Sequence, residues 1–268
     1  MCDFVSKSFK KEHSHKNILS IQLSLNGFSF CILHTKNKKL MVLKSKTFKT
    51  INSHLTDRRL YDWYNEETLL QGSYKRTDIT FFTEKFSLIP EKYESETLKK
   101  TISNIFPAEK EDDYTENYIA SLQAKLIYQV PTAIRKKLSD LFVDYQLIHP
   151  VQKLIPSTEP DCGKENILLF FDEKNMLLIL RKKKEILFCN TFKVNHASDA
   201  TYYTLTVLKQ FGIPKENVSI SLCGKAGYAE ELSTQLSRYF SSIEKQYPLN
   251  VIGNGIDKKI LSENLCLF

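Results

Sequence analysis

The fold is decided by residues 165–194, whose sequence is ENILLFFDEKNMLLILRKKKEILFCNTFKV. Ile167–Phe171 and Met176–Leu180 are apolar runs that are too short for a comfortable helix and are typical of strands covered on both faces. The four polar residues between the two runs have the length of a hairpin turn. A third apolar run follows the lysine turn at 182–184. This stretch therefore predicts three antiparallel strands.

The next residues alternate between the patterns of helix and strand. Residues 199–211 place apolar side chains at spacings of three, which predicts a helix that Asp199 can cap and that ends at Gly212-Ile213-Pro214. Residues 218–222 have the composition of a buried strand, and residues 228–240 again show one apolar helical face. The predicted order is strand, strand, strand, helix, strand, helix.

The first half of the chain repeats this pattern. Residues 19–32 alternate apolar and polar side chains around a turn at Asn26-Gly27, and a polar turn at 36–39 leads into a third apolar run at 40–43. Further elements follow in the order helix, two strands, helix, acidic loop, two strands, helix and strand, at residues 50–71, 76–82, 85–88, 94–106, 109–116, 118–122, 125–130, 131–141 and 144–149. Each half therefore opens with three antiparallel strands, which predicts an internal duplication.

Four segments are predicted from these patterns. Residues 1–16 are polar and lack apolar periodicity, so we expect a flexible arm. Residues 156–164 hold two prolines and a glycine among polar side chains, which is typical of a linker. The arm is followed by a first domain at residues 17–155, and the linker is followed by a second domain at residues 165–268.

The composition limits the class of protein. The chain has 268 residues, of which 42% are hydrophobic, 8 are glycine and 8 are proline, so it is not a disordered chain. The six cysteines include no pair with the CxxC spacing of a metal site, which favours free thiols in a reducing compartment. No apolar run reaches the roughly 18 residues of a membrane span, and the N-terminus lacks the apolar core of a signal peptide. We therefore expect a cytoplasmic protein without a membrane span.

The net charge is +7, and much of the excess lies among the lysines and arginines of the first 60 residues. A basic surface of this kind can attract nucleic acid or an acidic partner. A lysine-rich surface that faces water accounts for the same pattern, and we favour this interpretation because charge runs are unspecific. Nucleic-acid binding through the basic first half is kept as an alternative hypothesis.

Two βββαβαβ units with mixed sheets in one chain resemble the actin-like ATPase fold, which is a duplicated ribonuclease H-like domain. The second half resembles the corresponding half of the actin homologues of pilus assembly. The chain as a whole resembles an uncharacterised family of bacterial cytoplasmic proteins, a domain-of-unknown-function family with this fold. The resemblance extends over residues 17–250 and rests on the order of the elements and on the hairpins. It implies an α/β protein, and it implies ATP with magnesium as the cofactor of an intact site.

The resemblance also implies where a nucleotide would bind. In actin-like ATPases an acidic residue and a glycine-rich turn in the first hairpin of each half hold the metal and the phosphates. Gln22 and Phe170 stand at the two acidic positions, and Ser24 and Lys174 stand at glycine positions. The residues that remain as candidates for nucleotide binding are Asn26, Gly27, Asp172, Lys174, Gly224 and Gly227. An ordinary hairpin turn at 172–175 and a tight strand-to-helix turn at 224–227 account for the same residues, and we favour this interpretation.

The sequence assigns no catalytic residue and no metal ligand. It contains no G-x-S-x-G, no G-x-x-x-x-G-K-[ST] and no H-E-x-x-H motif, and His149 and His196 are interpreted as structural because neither has an evident partner. We expect a non-enzymatic binding or scaffold protein with a degenerate nucleotide site and a protein partner that the sequence does not identify. The alternative is a nucleotide-binding protein with weak magnesium-dependent ATPase activity, although Asp172 and Glu173 would repel a triphosphate.

Overall fold

The computed structural model describes residues 2–24, 27–47, 56–93, 112–158, 164–248 and 256–268. These residues form two compact units. Unit 1 covers the described residues up to Gln152 and takes in Cys266–Phe268, whereas unit 2 begins at Lys153 and takes in Ile256–Leu265. No helix in these ranges is long and apolar enough to cross a membrane.

Unit 1 contains two sheets among its described residues. Its strands are β1 (Cys2–Val5), β2 (Asn17–Ser24), β3 (Gly27–His34), β4 (Leu40–Thr47), β5 (Arg76–Phe81), β6 (Phe86–Pro90), β7 (Asp112–Ile119), β8 (Ala124–Pro131) and β9 (Gln146–Ile148). The larger sheet has the order β1-β4-β3-β2-β5-β9, and the smaller, antiparallel sheet has the order β6-β8-β7. The helices of this part of the chain are α1 (Thr56–Glu66), α2 (Thr132–Leu141) and α3 (Pro150–Leu154), the last of which leads into unit 2.

Unit 2 is built on one sheet of five strands in its described part. These strands are β10 (Glu165–Asp172), β11 (Asn175–Lys182), β12 (Glu185–Lys193), β13 (Val218–Lys225) and β14 (Ser242–Lys245), in the order β12-β11-β10-β13-β14. The helices are α4 (Ala197–Gln210), α5 (Ala229–Leu236) and α6 (Lys258–Glu263). Ile167–Phe171 of the central strand β10 are at most 3% exposed. This burial explains why the run is continuously apolar rather than alternating.

The two large sheets have the same topology. In unit 1, β2, β3 and β4 are successive antiparallel neighbours, while β5 is parallel to β2 and β9 is parallel to β5. In unit 2, β10 to β14 repeat these pairings in the same order. The second and third strands also share a register shift, at Ile32/Leu33 in unit 1 and at Leu180/Arg181 in unit 2. The predicted duplication with mixed sheets is therefore confirmed.

The first residues differ from the flexible arm that was predicted at 1–16. Cys2–Val5 forms β1, which pairs antiparallel with β4, and Lys11–Lys16 forms 3₁₀ turns. Asp3 Oδ1 lies 3.6 Å from Nζ of Lys44, and β1 is followed by a hydrogen bond from the N–H of Ser6 to the carbonyl of Met41 at 2.8 Å. The sequence did not predict this strand, because four residues are too few to show a recognisable alternation of apolar and polar side chains.

Two further segments of the prediction differ from the structure. The acidic segment predicted as a loop at 109–116 contributes to β7, because Asp112–Ile119 pairs along the whole of β8. The predicted linker at 156–164 begins within a 3₁₀ helix that ends at Thr158. The helix predicted at 94–106 and residues 159–163 of the linker lie outside the described residues.

Asp199 stabilises the start of α4 from a different position than the sequence analysis predicts. It lies three residues inside the helix, and its Oδ2 accepts hydrogen bonds from the N–H groups of Asn195 at 2.9 Å and His196 at 3.0 Å. These bonds lower the pKa of the Asp199 carboxyl. The carboxylate therefore reaches back to the chain that precedes the helix, as in the second half of a capping box.

His149 is buried in unit 1 against three aromatic rings, those of Phe82, Phe86 and Tyr128. Its Nε2 donates to the carbonyl oxygen of Thr83 at 2.9 Å, and its Nδ1 accepts from the N–H of Val151 at 3.3 Å. Both ring nitrogens are therefore used by the neutral imidazole, since a carbonyl only accepts and an N–H only donates. Burial lowers the pKa of His149 to about 4, because the charged ring would lose its hydration.

The buried imidazole predicts a loss of stability in mild acid. The unfolded chain takes up a proton at His149 near pH 6.5, whereas the folded chain does so only near pH 4. Between these values the unfolded state binds more protons, so the free energy of unfolding falls as the pH falls, by at most about 3 kcal/mol from this residue. Urea unfolding from pH 7.5 to pH 4 measures this slope.

The matched variants are His149→Gln and His196→Gln, the second at an exposed histidine. We expect His149→Gln to flatten the pH dependence of stability by up to one proton, whatever its stability at pH 7. His196→Gln should leave the slope close to that of the unmodified protein. Parallel curves for His149→Gln and the unmodified protein would show that His149 does not titrate in this way.

Candidate functional site

A cavity of about 320 Å³ lies in unit 2, at the carboxyl ends of the parallel strands β10, β13 and β14. Open α/β sheets bind ligands at this end of their strands. The apolar part of the lining comes from both sheet and helix, with Phe171, Leu222, Ala226, Ala229 and Leu232. The volume lies at the lower end of the range of small-molecule sites, about 300–1,000 Å³.

The charged lining of this cavity comes from four elements. Three lysines and two glutamates contribute, namely Lys225, Lys245, Lys259, Glu173 and Glu263. Glu173 Oε1 lies 3.8 Å from Nζ of Lys225, with both side chains partly exposed, so the attraction between them is weak. The sequence predicted that the carboxylates of Asp172 and Glu173 would repel phosphates. Asp172 is not part of the lining, and the lysines of β13, β14 and α6 outnumber the two carboxylates that are, those of Glu173 and Glu263.

The turn between β10 and β11 is closed against β13. Glu173 has a left-handed backbone conformation with φ of 57°, and its N–H donates to the carbonyl of Lys225 at 3.0 Å. The carbonyl of Lys174 accepts from the N–H of Val194 at 2.8 Å, which fixes the other side of the turn to the end of β12. A phosphate-binding turn needs backbone N–H groups that point at the ligand. The N–H of Glu173 is already used within the sheet.

Gly224 is required by packing within the sheet. It has φ of +83°, and a Cβ at this position would lie 2.2 Å from the carbonyl oxygen of Phe171 and 2.7 Å from its nitrogen. No side chain fits such a contact between two backbones. Gly227 differs, because a Cβ there would have no heavy atom within 4 Å. One of the two glycines that the sequence analysis selected is therefore explained by the approach of β13 to β10.

Tyr228 precedes α5 beside this cavity, and the sequence analysis did not select it. Its ring meets that of Phe171 edge to face, with ring centroids 6.0 Å apart, and its hydroxyl is buried with no hydrogen-bond partner in the described part of the chain. Burial, followed by the negative charges of Asp199 and Glu173, raises the pKa of Tyr228 to about 12. The phenol therefore stays protonated near neutral pH.

The predicted site residues do not all meet. Gly224 and Gly227 line the cavity together with Glu173, whereas Asp172 is 5% exposed and lies in register with Asn175 and Lys225. Lys174 is exposed in the turn. Gly27 belongs to unit 1, where a Cβ would lie 2.6 Å from the carbonyl oxygen of Lys46, so it too serves strand packing. Asn26 lies outside the described residues.

The lysines of the cavity were missed because they come from elements far apart in sequence. Lys245 ends β14, in which Ile243 is the one apolar residue, and Lys259 lies in the short helix α6. Neither position belongs to a recognisable motif. Only the parallel pairing of β13 with β14 and the position of α6 bring these side chains to the turn at Gly224.

Magnesium with ATP, which the fold resemblance implies, does not fit the residues of unit 2. Phe170, at the position of the expected carboxylate, is 1% exposed within β10 and offers no metal ligand. The N–H of Glu173 is bonded to Lys225. Within the described ranges, no group of three or more histidine, cysteine, aspartate or glutamate side chains could hold a metal ion.

The two glycines of the cavity should respond differently to alanine. Gly224→Ala places a methyl group on the backbone of Phe171 in a left-handed conformation, so we expect a loss of at least about 2 kcal/mol in the free energy of unfolding. Gly227→Ala meets open space and should change the stability by less than about 0.5 kcal/mol. Urea unfolding of both variants measures the difference. Equal effects would contradict the packing role assigned to Gly224.

Two solved structures show the fold. A Bacteroides thetaiotaomicron protein, described as having an actin-like ATPase fold and unknown function, aligns with a TM-score of 0.80 at 20% identity over 89% of this chain and 93% of its own. The PilM–PilN type IV pilus biogenesis complex aligns with a TM-score of 0.62 at 11% identity over 93% of this chain and 96% of the matched chain. At identities this low, the structural alignments are evidence for a shared fold alone. They confirm the predicted actin-like ATPase, ribonuclease H-like architecture.

The sequence itself gives the family. No functionally curated protein matches it. A family model described as "Protein of unknown function (DUF3822)" matches residues 6–243, which is most of the chain. The strand order, the duplication and this match agree, and the chain belongs to the DUF3822 family.

Proposed function

We propose that this chain is a non-enzymatic binding protein that uses the actin-like ATPase fold as a scaffold for a protein partner. The observation that carries the proposal is the hydrogen bond from the N–H of Glu173 to the carbonyl of Lys225 at 3.0 Å. This bond closes the hairpin that would otherwise hold phosphates. The fold is therefore maintained while its phosphate-binding turn is used for sheet structure.

Hydrolysis of a nucleoside triphosphate depends on a positioned metal, a positioned water and neutralised phosphates rather than on covalent chemistry by the protein. Phe170 provides no oxygen for a metal or its water shell, and its side chain is part of the buried strand β10. The turn offers Glu173 and Lys174 instead of glycines, so its backbone approaches a ligand less readily. These substitutions support a binding role without turnover.

Two observations support a protein as the ligand. PilM, whose structure was solved in complex with PilN, has the same fold with a TM-score of 0.62, so this architecture is compatible with protein binding. Unit 2 also exposes large apolar side chains, with Tyr202 at 64%, Tyr239 at 41% and Phe211 at 37%. Aromatic residues are enriched where proteins meet.

The cavity of unit 2 favours a second candidate, a nucleoside or nucleotide that is bound and not hydrolysed. Its volume, its apolar floor and its three lysines suit a small ligand that carries an anionic group. In this case the base would lie near Gly224–Gly227, where the backbone is accessible. The phosphates would depend on Lys245 and Lys259, because the N–H of Glu173 is bonded to Lys225.

Calorimetric titration with adenosine, AMP and ATP, each with and without magnesium, tests the proposal. We expect that magnesium does not strengthen the binding of ATP, because the buried side chain of Phe170 stands where a carboxylate would hold the metal. We also expect no ATP turnover approaching the usual enzyme range of about 1 per second or faster. Tight binding of ATP that requires magnesium would contradict the proposed function.

The variant Lys259→Glu distinguishes the two candidates. If a nucleotide binds in the cavity without magnesium, reversing this charge should weaken AMP and ATP by about tenfold and adenosine by much less. That result would support the second candidate. Binding that Lys259→Glu leaves unchanged would show that the nucleotide does not occupy this cavity.

A further inference from the structure

A second cavity lies in unit 1, at the opposite end of the large sheet from the hairpin of β2 and β3. Its volume is about 370 Å³, and it lies where the parallel strands β2, β5 and β9 begin, with Ile18, Arg76 and Gln146 in its lining. Open α/β sheets usually bind ligands at the carboxyl ends of their strands. This cavity is therefore separate from the nucleotide site that the fold resemblance implies.

The walls of the cavity are joined by backbone hydrogen bonds. The N–H of Thr35, after β3, donates to the carbonyl of Lys16 at 3.1 Å, and the N–H of Lys75, before β5, donates to the carbonyl of Asn17 at 3.0 Å. Lys38 lies in the turn that joins β3 to β4. Because β3 and β5 flank β2 in the sheet, Lys38 and Lys75 reach the cavity from opposite sides of the start of β2.

The cavity is basic. Lys38 and Lys75 belong to its lining, and Asp144 is the one carboxylate of that lining. Both lysines are exposed, and neither side chain has an ion pair or a hydrogen bond within the described ranges. Lys36 and Lys39, in the same turn as Lys38, are also exposed and add positive charge nearby. Cations that converge on a concave surface attract anions, because the protein walls focus their field.

Arg76 adds a positioned donor to the lining. Its Nη2 donates to Oδ2 of Asp78 at 2.8 Å, and the side chain of Asp78 is only 2% exposed. This bond holds the guanidinium in place and uses one of its five N–H donors. An arginine presents such donors in a fork that matches phosphoryl oxygens. Thr77, which is 8% exposed, contributes a hydroxyl to the same lining.

The internal duplication shows that the fold does not require these charges. The registers of the two hairpins and of β5 with β2 and β13 with β10 align the two units. In this alignment the equivalents of Lys75 and Arg76 are Val218 and Ser219, which carry no charge. The basic pair is therefore a feature of unit 1 that the shared topology does not need.

The lining favours a compact anion over a nucleic acid. Proteins that bind single strands combine a basic groove with several aromatic side chains on which bases stack. Tyr145 is the one aromatic residue of this lining. Its hydroxyl donates to the carbonyl of Arg135 at 3.4 Å and lies 3.3 Å from the hydroxyl of Ser139. The cations converge on one cavity, whose volume lies at the lower end of the range of small-molecule sites, about 300–1,000 Å³.

We propose that this cavity binds a small anion with two linked phosphoryl groups, of which inorganic pyrophosphate is the simplest. Lys38 and Lys75 come from strands two strand spacings apart, about 9–10 Å, so two linked groups reach both lysines where a single phosphate does not. Arg76 donates to a phosphoryl oxygen between them. The site shares no residue with the cavity of unit 2, and it is a ligand site beyond the function proposed above.

Titration of the full chain with pyrophosphate, followed by calorimetry and by NMR of the backbone amides, tests the site. We expect a Kd below about 1 mM and an affinity that falls as salt rises. Amide shifts should occur within 35–39, 75–77 and 144–146. ADP distinguishes the source of the diphosphate. Tighter binding of ADP at these amides would assign the site to the diphosphate of a nucleotide, and tighter binding of pyrophosphate would assign it to the free anion.

Three variants locate the binding. Lys38→Glu/Lys75→Glu should weaken pyrophosphate by at least about tenfold, since it reverses both charges. Asp144→Asn removes the opposing carboxylate and should tighten binding by about threefold, a gain that misfolding does not produce. Lys209→Glu/Arg238→Glu, an equal change of charge at two exposed residues of unit 2, should alter the affinity by less than about twofold.

Four results would overturn the proposal. The first is the absence of saturable binding up to about 1 mM pyrophosphate. The second is a set of amide shifts at 224–227 instead of the predicted segments, which would place the anion in the cavity of unit 2. The third is an affinity that neither Lys38→Glu/Lys75→Glu nor Asp144→Asn changes. The fourth is binding of an eight-nucleotide oligothymidine that is more than about tenfold tighter than that of pyrophosphate, which would favour nucleic acid.

Discussion

The structure of unit 2 depends on the close approach of β13 to β10 at Gly224. The absence of a side chain at this residue lets its backbone reach Phe171, and no other residue type fits there. The same approach brings the carbonyl of Lys225 to the N–H of Glu173, so that the turn between β10 and β11 is held against the end of β13. The two parallel strands and the hairpin are thereby joined at one point.

This contact links the fold to the function that we propose. In actin-like ATPases, which the chain resembles, glycines near the first hairpin serve the approach of phosphates. Here Gly224 serves the approach of another strand, and the N–H that could meet a phosphate donates within the sheet. The cavity that remains beside the turn is lined by apolar residues and by lysines from β13, β14 and α6. We propose this cavity as the site of a ligand that needs no metal, because its described lining combines three lysines with only two carboxylates.

The elements that the sequence predicted well are those with long apolar runs. Ile167–Phe171 and Met176–Leu180 form the hairpin of β10 and β11 because both are buried in the middle of the sheet. The sequence predictions were wrong where a strand is buried on one face only, or where a segment is a strand because a partner strand lies beside it. Cys2–Val5 becomes a strand only because β4 is available as a partner, and the acidic residues at the start of β7 do so because β8 runs beside them.

The candidate site was less predictable than the fold, because it depends on contacts between elements that are far apart in the sequence. Gly224 and Gly227 could be selected from the sequence because a glycine after a strand indicates an unusual backbone conformation. The reason for Gly224, its contact with Phe171, depends on the order of the strands in the sheet. Lys245 and Lys259 carry no motif, and only the assembled sheet brings them to the turn at Gly224. Tyr228 follows that turn in sequence, but its contact with Phe171 depends on the pairing of β13 with β10.

Amide hydrogen exchange at Glu173, followed by NMR with and without magnesium and ATP, tests whether the turn between β10 and β11 is closed. We expect this amide to be protected in the free protein, because it donates to the carbonyl of Lys225. We also expect magnesium and ATP to change neither its exchange rate nor its chemical shift. Rapid exchange in the free protein, or a shift of the Glu173 amide that requires both magnesium and ATP, would contradict the claim that the phosphate-binding turn is closed.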